Sequence, residues 1–132
     1  MKKLLFLLLT CNILFGQTQD ENFLDGTIIF KFKDFIEIND DNSIKSSDNI
    51  GLKVNISDYP KILEIFKNID VLNFERPSFF TGKRELQKIY RITFQNFEKI
   101  DYLISELKKL DEIEYVEKEP IYRNSFIPND SY

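Results

Sequence analysis

The sequence predicts an α+β domain in which helices pack on one face of an antiparallel sheet. Short runs that alternate apolar and polar residues indicate strands with one buried face. Two longer stretches place apolar residues at helical spacing. Turn-forming residues separate these segments, and the composition, 42% hydrophobic and 30% charged over 132 residues, is typical of one globular domain.

The first strand is predicted over Thr27–Lys33, because Ile28, Phe30 and Phe32 share one face and two lysines occupy the other. Phe35–Ile38 is expected to extend this strand after a kink. The next residues are rich in Asn, Asp and Ser, which predicts a loop.

The first helix follows a short extended piece predicted over 50–54. Ser57 or Asp58 is expected to cap it, and Pro60 suits its first turn. Its apolar stripe consists of Ile62, Leu63, Phe66 and Ile69.

Two strands and a second helix come next. Val71–Phe74 predicts a strand that Pro77 ends, and Lys88–Phe94 predicts the following one. Asn96 is expected to cap a helix that runs to Leu110. The stripe of this helix consists of Phe97, Ile100, Leu103, Ile104, Leu107 and Leu110.

The last strand is predicted over Ile113–Glu117, closed by Pro120. The order is then strand, helix, strand, strand, helix, strand. This is the ferredoxin-like βαββαβ arrangement, an antiparallel four-stranded sheet with two helices on one face. The other face is left without helical cover, so it is either solvated or bound to a partner.

The N-terminus has the features of a secretory signal peptide. Lys2 and Lys3 precede the apolar run Leu4–Leu9, and cleavage is expected near Gly16 or Gln17. The apolar stretch is shorter than the ~20 residues that a membrane span requires. A secreted or periplasmic protein is therefore expected, with no membrane attachment in its mature form.

The predicted organisation is a signal peptide over 1–17, one domain over 18–120 and an extended tail over 121–132. Cys11 is the only cysteine and could carry a lipid, but Thr10 before it and the apolar residues after it argue against a lipoprotein. The mature chain then has no cysteine, and its folding in an oxidising compartment depends on core packing.

The residue types that are missing exclude several functions. The chain has no histidine and only four scattered glycines. Ser-His-Asp and Cys-His catalysis need an imidazole, zinc sites usually draw on His or Cys, and phosphate loops need clustered glycines. No enzyme activity, metal or cofactor is therefore expected, although catalysis by paired carboxylates stays formally open.

The net charge favours a protein partner over a nucleic acid. Loss of the two N-terminal lysines takes the formal charge from −4 to −6. Nucleic-acid-binding domains carry a basic stripe instead. A monomer that binds a protein is expected.

Several short motifs carry a family resemblance. Ile113–Glu117, then Glu119 with Pro120, then Pro128–Asp130 follow one another in the last third of the chain. They resemble the last strand, the Glu-Pro pair and the mature start that end the propeptides of subtilisin-like serine proteases. The opening run over 26–34 resembles the first strand of larger bacterial propeptides of this kind.

The resemblance implies a partner, the catalytic domain of a subtilisin-like protease. Such a propeptide lays its sheet face on two helices of that domain, assists its folding and inhibits it. By position, Glu117 and Glu119 would meet the N-termini of the protease helices. The scissile bond would lie between Arg123 and Pro128.

The resemblance also implies an inhibitory tail that lies in the active-site cleft, with Tyr122 as the candidate for a subsite pocket. The residues of this tail are Pro120, Ile121, Tyr122, Arg123, Asn124, Ser125 and Phe126.

Two features depart from the family pattern. Lys118 and Glu119 separate Glu117 from Pro120, and the sequence contains no catalytic domain. The chain is then a fragment of a longer reading frame, the product of a truncated gene, or a stand-alone inhibitor acting in trans. A different class stays open as well: an extracellular binding or structural module that shares only the ferredoxin-like topology.

Overall fold

The computed structural model describes residues 22–38, 44–45 and 51–122. Over these residues the chain has the predicted α+β fold. The strands are β1 (Phe23–Phe32), β2 (Ile44–Lys45), β3 (Leu52–Lys53), β4 (Val71–Arg76), β5 (Ile89–Phe94) and β6 (Ile113–Pro120). The helices are α1 (Pro60–Ile65), α2 (Arg84–Gln87) and α3 (Ile100–Lys108), and two 3₁₀ turns, Ile56–Asp58 and Phe97–Lys99, precede α1 and α3.

All described strands belong to one sheet, in the order β2-β3-β4-β5-β1-β6, and each neighbouring pair is antiparallel. The predicted four-stranded sheet is therefore too small. Strands β2 and β3 extend it beyond β4, where Leu52 pairs with Arg76. Strand β3 lies within the extended piece predicted over 50–54, but two residues in each strand are too few to show the alternation that would have placed β2 and β3 in the sheet.

The core lies between the sheet and the two longer helices. Ile28 and Phe30 of β1 and Tyr90 and Ile92 of β5 have no exposed surface, which confirms the alternation predicted for these strands. The Tyr90 hydroxyl shares a hydrogen bond of 2.7 Å with the hydroxyl of Tyr59, so the buried phenol is satisfied. The segments of α1 and α3 contribute four residues to the same core cluster: Ile62, Phe66, Leu103 and Leu107.

The capping prediction was wrong for α1, whose N-cap residue is Tyr59, whereas Asn96 is the N-cap residue of the 3₁₀ turn before α3 but makes no capping hydrogen bond with its side chain. The backbone N–H of Ser57 donates to Asn55 Oδ1 at 3.0 Å, so Asn55 caps the 3₁₀ turn before α1, and neither Ser57 nor Asp58 caps the helix. Asn96 accepts a hydrogen bond from the backbone N–H of Asp70 at 3.2 Å, and its side chain caps no helix. The apolar spacing identified the helices, whereas the turn before α1 is capped by a neighbouring residue that was not predicted and Asn96 bonds to a residue distant in sequence.

The expected strand extension over Phe35–Ile38 is also wrong. The N–H of Ile36 donates to the carbonyl of Lys33 at 3.1 Å, which closes a turn immediately after β1. Conversely, β6 runs three residues beyond the predicted Glu117, because Phe23 pairs with Pro120 at the start of β1. The predicted signal peptide and residues 123–132 of the tail lie outside the described residues.

Strand β1 contains a wide irregularity near its start. Ile28 lies opposite Lys118 and Phe23 lies opposite Pro120, so β1 carries extra residues between these two pairs. Gly26, inside this bulge, has φ of 61°, and a Cβ built on it would stand 2.3 Å from the carbonyl oxygen of Phe94. Both features require glycine at this position.

Replacing Gly26 with alanine is expected to destabilise the fold by about 1–3 kcal/mol, because the left-handed φ and the contact with a backbone oxygen both oppose a side chain. Gly82→Ala is the matched control, since a Cβ there meets no atom of the described residues within 4 Å. Denaturant unfolding of both variants measures the difference. Equal midpoints for the two variants would contradict the strained geometry at Gly26.

Candidate functional site

The sheet face opposite the helices is formed by alternate strand residues, and we call it the helix-free face. The strand register aligns Glu75 with Arg91, Arg91 with Ile29, and Ile29 with Glu117, so these four residues form one row across β4, β5, β1 and β6. The helix-free face includes the charged and aromatic residues Lys31, Lys53, Glu75, Arg91, Tyr115, Glu117 and Glu119, and between them Thr27, Ile29, Asn73, Ile89 and Thr93.

Arg91 is shared by two carboxylates that come from different strands. Its Nη1 donates to Glu75 Oε1 at 2.9 Å, and its Nη2 donates to Glu119 Oε1 at 2.5 Å. The side chains of Arg91, Glu75 and Glu119 are 27%, 11% and 8% exposed. Charges removed from water to this degree are stable only when they are paired and hydrogen-bonded, as they are here.

The electrostatics of Arg91 favour its charged form. Burial lowers the pKa of the guanidinium, but the hydrogen bonds to Glu119 and Glu75 outweigh burial and raise this pKa above its ordinary value. Among the described residues, the buried Nε atom of Arg91 has no hydrogen-bond partner. Within that part of the chain the two carboxylates are therefore the groups that pair with this partly buried cation.

Gly51 allows the chain before β3 to approach this cluster. A Cβ at Gly51 would stand 3.0 Å from Glu75 Oε2, and its φ of 155° also favours glycine. Glu75 is consequently enclosed on one side by Arg91 and on the other by the backbone of Gly51.

Tyr115 and Glu117 are exposed residues of the helix-free face on strand β6, at one edge of the sheet, and Lys53 of β3 is exposed toward the other edge. Burial raises the pKa of the Tyr115 hydroxyl, and the Glu117 carboxylate raises it further. Beside them, Lys31 Nζ donates to Glu114 Oε2 at 2.6 Å, and this hydrogen bond raises the pKa of Lys31 although burial opposes it.

The residues to which the resemblance assigned a role have different environments in the structure. Glu117 is exposed, whereas Glu119 is 6% exposed and engaged by Arg91. Pro120 belongs to β6, and the N–H of Ile121 still donates to the carbonyl of Asn22 at 2.8 Å. Tyr122 is 84% exposed. The remaining predicted tail residues, Arg123, Asn124, Ser125 and Phe126, lie outside the described residues.

Sequence reasoning missed Arg91, Glu75 and Gly51. In the sequence of β5, Tyr90, Ile92 and Phe94 alternate with Arg91 and Thr93, which puts Arg91 on the face away from the core. An arginine in the middle of an otherwise apolar strand could have signalled a partner, but nothing in the pattern identified which acids it would meet.

An apolar pocket of about 420 Å³ lies elsewhere, beside the start of α1, and contains none of the predicted site residues. Its apolar lining consists of Phe32, Ile36, Tyr59, Pro60, Ile62 and Leu110. Over the described ranges, no group of three or more Asp, Glu, His or Cys residues is placed to hold a metal ion. None of the helices in those ranges is long and apolar enough to cross a membrane.

Comparison of the chain with protein-family models, with curated proteins and with solved structures gives no match in any of the three. Function is therefore inferred from the sequence motifs and from the geometry of the helix-free face.

Arg91→Met is expected to cost about 3 kcal/mol of unfolding free energy, because it leaves the two buried carboxylates of Glu75 and Glu119 without their cation. Chemical denaturation at neutral pH measures this loss. Adding Glu75→Gln and Glu119→Gln to the same chain removes the buried charges and should recover at least about half of the loss. A triple variant no more stable than Arg91→Met would show that unpaired charge is not its cause.

Proposed function

We propose that the chain is the propeptide of a subtilisin-like serine protease, a non-catalytic domain with a ferredoxin-like core that assists the folding of its protease and inhibits it. The observation that carries this proposal is the helix-free face, bounded by the edge strand β6 whose last residue leads directly into the predicted tail. Apart from the opening run over 26–34, the motifs that resemble the family belong to that same strand and to the predicted tail.

The ferredoxin-like core is supported by four contiguous strands. Strands β4, β5, β1 and β6 follow one another in the sheet, all antiparallel, and the segments of α1 and α3 connect β1 with β4 and β5 with β6. This is the spatial order that the split βαβ topology requires. On this proposal, β2 and β3 are an addition to the outer edge of the core.

Docking is proposed to use the exposed part of the helix-free face. Glu117 lies on β6 and is free to meet the positive end of a helix dipole on the catalytic domain. The tail then continues the direction of β6 and adds a strand to the edge of the active-site cleft. A preformed domain of this kind lowers the entropic cost of assembling a protease core with many non-local contacts.

The proposed setting is outside the cytoplasm, after removal of the predicted signal peptide over 1–17. An inhibitor acting in trans would use the same face and tail. A binding module with the same topology would not inhibit a protease. One inhibition experiment therefore distinguishes the binding module from a propeptide and from an inhibitor acting in trans.

The full chain, titrated against a panel of subtilisin-like proteases, is expected to give slow, tight inhibition, with trypsin-like proteases as the negative control. A chain that ends at Ile121 keeps the hydrogen bond to Asn22. It should inhibit at least about a hundredfold less, because it lacks most of the tail, while its unfolding midpoint stays unchanged. If the folded full chain inhibits no protease of the panel, the result would favour the binding module over the propeptide.

Charge reversal at the docking face tests the surface separately from the tail. Glu117→Lys is expected to weaken inhibition about tenfold, largely through slower association, because it places a cation before the helix N-termini. Glu98→Lys is the matched control, an exposed acid in the turn before α3. Equal inhibition constants for the two variants would place docking on another surface.

A further inference from the structure

The last residues of β6 are held to the sheet differently from the rest of the strand. From Ile28 to Phe30, β1 pairs residue by residue with Lys118 to Val116. Beyond Lys118 the next register pair is Phe23 with Pro120, on the far side of the bulge in β1. Glu119 thus stands at a point where regular pairing with β1 is interrupted.

At this point a side chain replaces the backbone pairing. Arg91 belongs to β5, which is separated from β6 by β1. Its guanidinium reaches across β1 to Glu119 at 2.5 Å and is anchored on the opposite side by Glu75 at 2.9 Å. The end of β6 is therefore tied to the middle of the sheet by an ion pair whose carboxylate is buried and whose guanidinium is partly buried.

We propose that Arg91 is a positioning residue for the inhibitory tail, an inference that rests on the proposed function. The Arg91–Glu119 pair sets the register in which the chain leaves the sheet after Pro120. A slip of one residue at the end of a strand turns every following side chain to the opposite face, and at Glu119, where the pairing with β1 is interrupted, the backbone offers less resistance to such a slip. The ion pair supplies that resistance one residue before the tail.

Glu119 therefore acts within the chain, and Glu117 is left as the acid that faces the protease. This assignment differs from the role that the resemblance implied for Glu119. The carboxylate of Glu119 is 8% exposed and already bound, whereas Glu117 is exposed. A tail held in one register loses less freedom when it binds, which lengthens the life of the complex more than it speeds association.

Because Arg91→Met is expected to destabilise the whole fold, the test uses a pair of milder variants. Glu119→Gln keeps the shape of the side chain and removes its charge. Glu75→Gln is the matched control, because it makes the same change on the same guanidinium but in β4, away from the tail. Both leave the exposed Glu117 unchanged.

The first readout is hydrogen exchange in the free chain, with no protease present. The amide of Ile121, which donates to Asn22, reports on the root of the tail, and the amide of Ile92 in β5 reports on the core. Glu119→Gln is expected to speed exchange at Ile121 by about tenfold or more, with Ile92 unchanged. Glu75→Gln should change exchange at Ile121 by less than about threefold.

The second readout is the rate of release from a protease of the panel that the unsubstituted chain inhibits. Glu119→Gln should raise the dissociation rate constant by about tenfold with the association rate constant unchanged, and Glu75→Gln should change neither. Unchanged exchange at Ile121 overturns the proposal, including the case in which Glu119→Gln still weakens inhibition, since Glu119 would then contact the protease itself. Faster exchange with an unchanged dissociation rate also overturns it. Failure of the unsubstituted chain to inhibit any protease overturns the proposed function instead, and the two failures are thereby distinguished.

Discussion

Strand β1 has hydrogen-bonded neighbours on both edges, β5 and β6, and is covered by helices on one face. Ile28 and Phe30 are completely buried on that face, and Lys31 lies on the other. A shift of β1 by one residue would expose the two apolar side chains and place an ammonium group in the core, so a single register is strongly favoured. The packing of α1 and α3, and the row of residues on the helix-free face, both follow from that register.

The register of β1 also determines how charge is distributed on the helix-free face. It places Arg91 between Glu75 on one side and β6 on the other, and the two acids share one guanidinium. An acid that stabilises the fold in this way is not free to bind a partner. The proposed contact with a protease therefore passes to Glu117, and the stability of the sheet and its proposed recognition surface depend on neighbouring residues of one strand.

The bulge around Gly26 gives the end of β6 a degree of independence from the rest of the sheet. Regular pairing stops at Lys118 and resumes at Pro120, where the start of β1 meets the end of β6. The proposed function needs an orderly transition at this place, from a rigid sheet to an extended segment that enters a cleft. A side-chain ion pair is suited to this transition because it restrains direction without demanding continuous backbone pairing.

The sequence alone determined the elements whose pattern is set by burial. The alternation in β1 and β5 and the apolar stripe with Leu103 and Leu107 predicted these elements, because a strand or helix with one buried face leaves its period in the sequence. Tertiary structure decided the rest. Strands β2 and β3 are too short to show a period, so the sequence indicated an extended piece at β3 but not its place in the sheet. Asn96 bonds with its side chain to Asp70 instead of to the helix, and Arg91 meets acids 16 and 28 residues away. Each of these depends on which segments become neighbours in space, and a local pattern of residues does not record that.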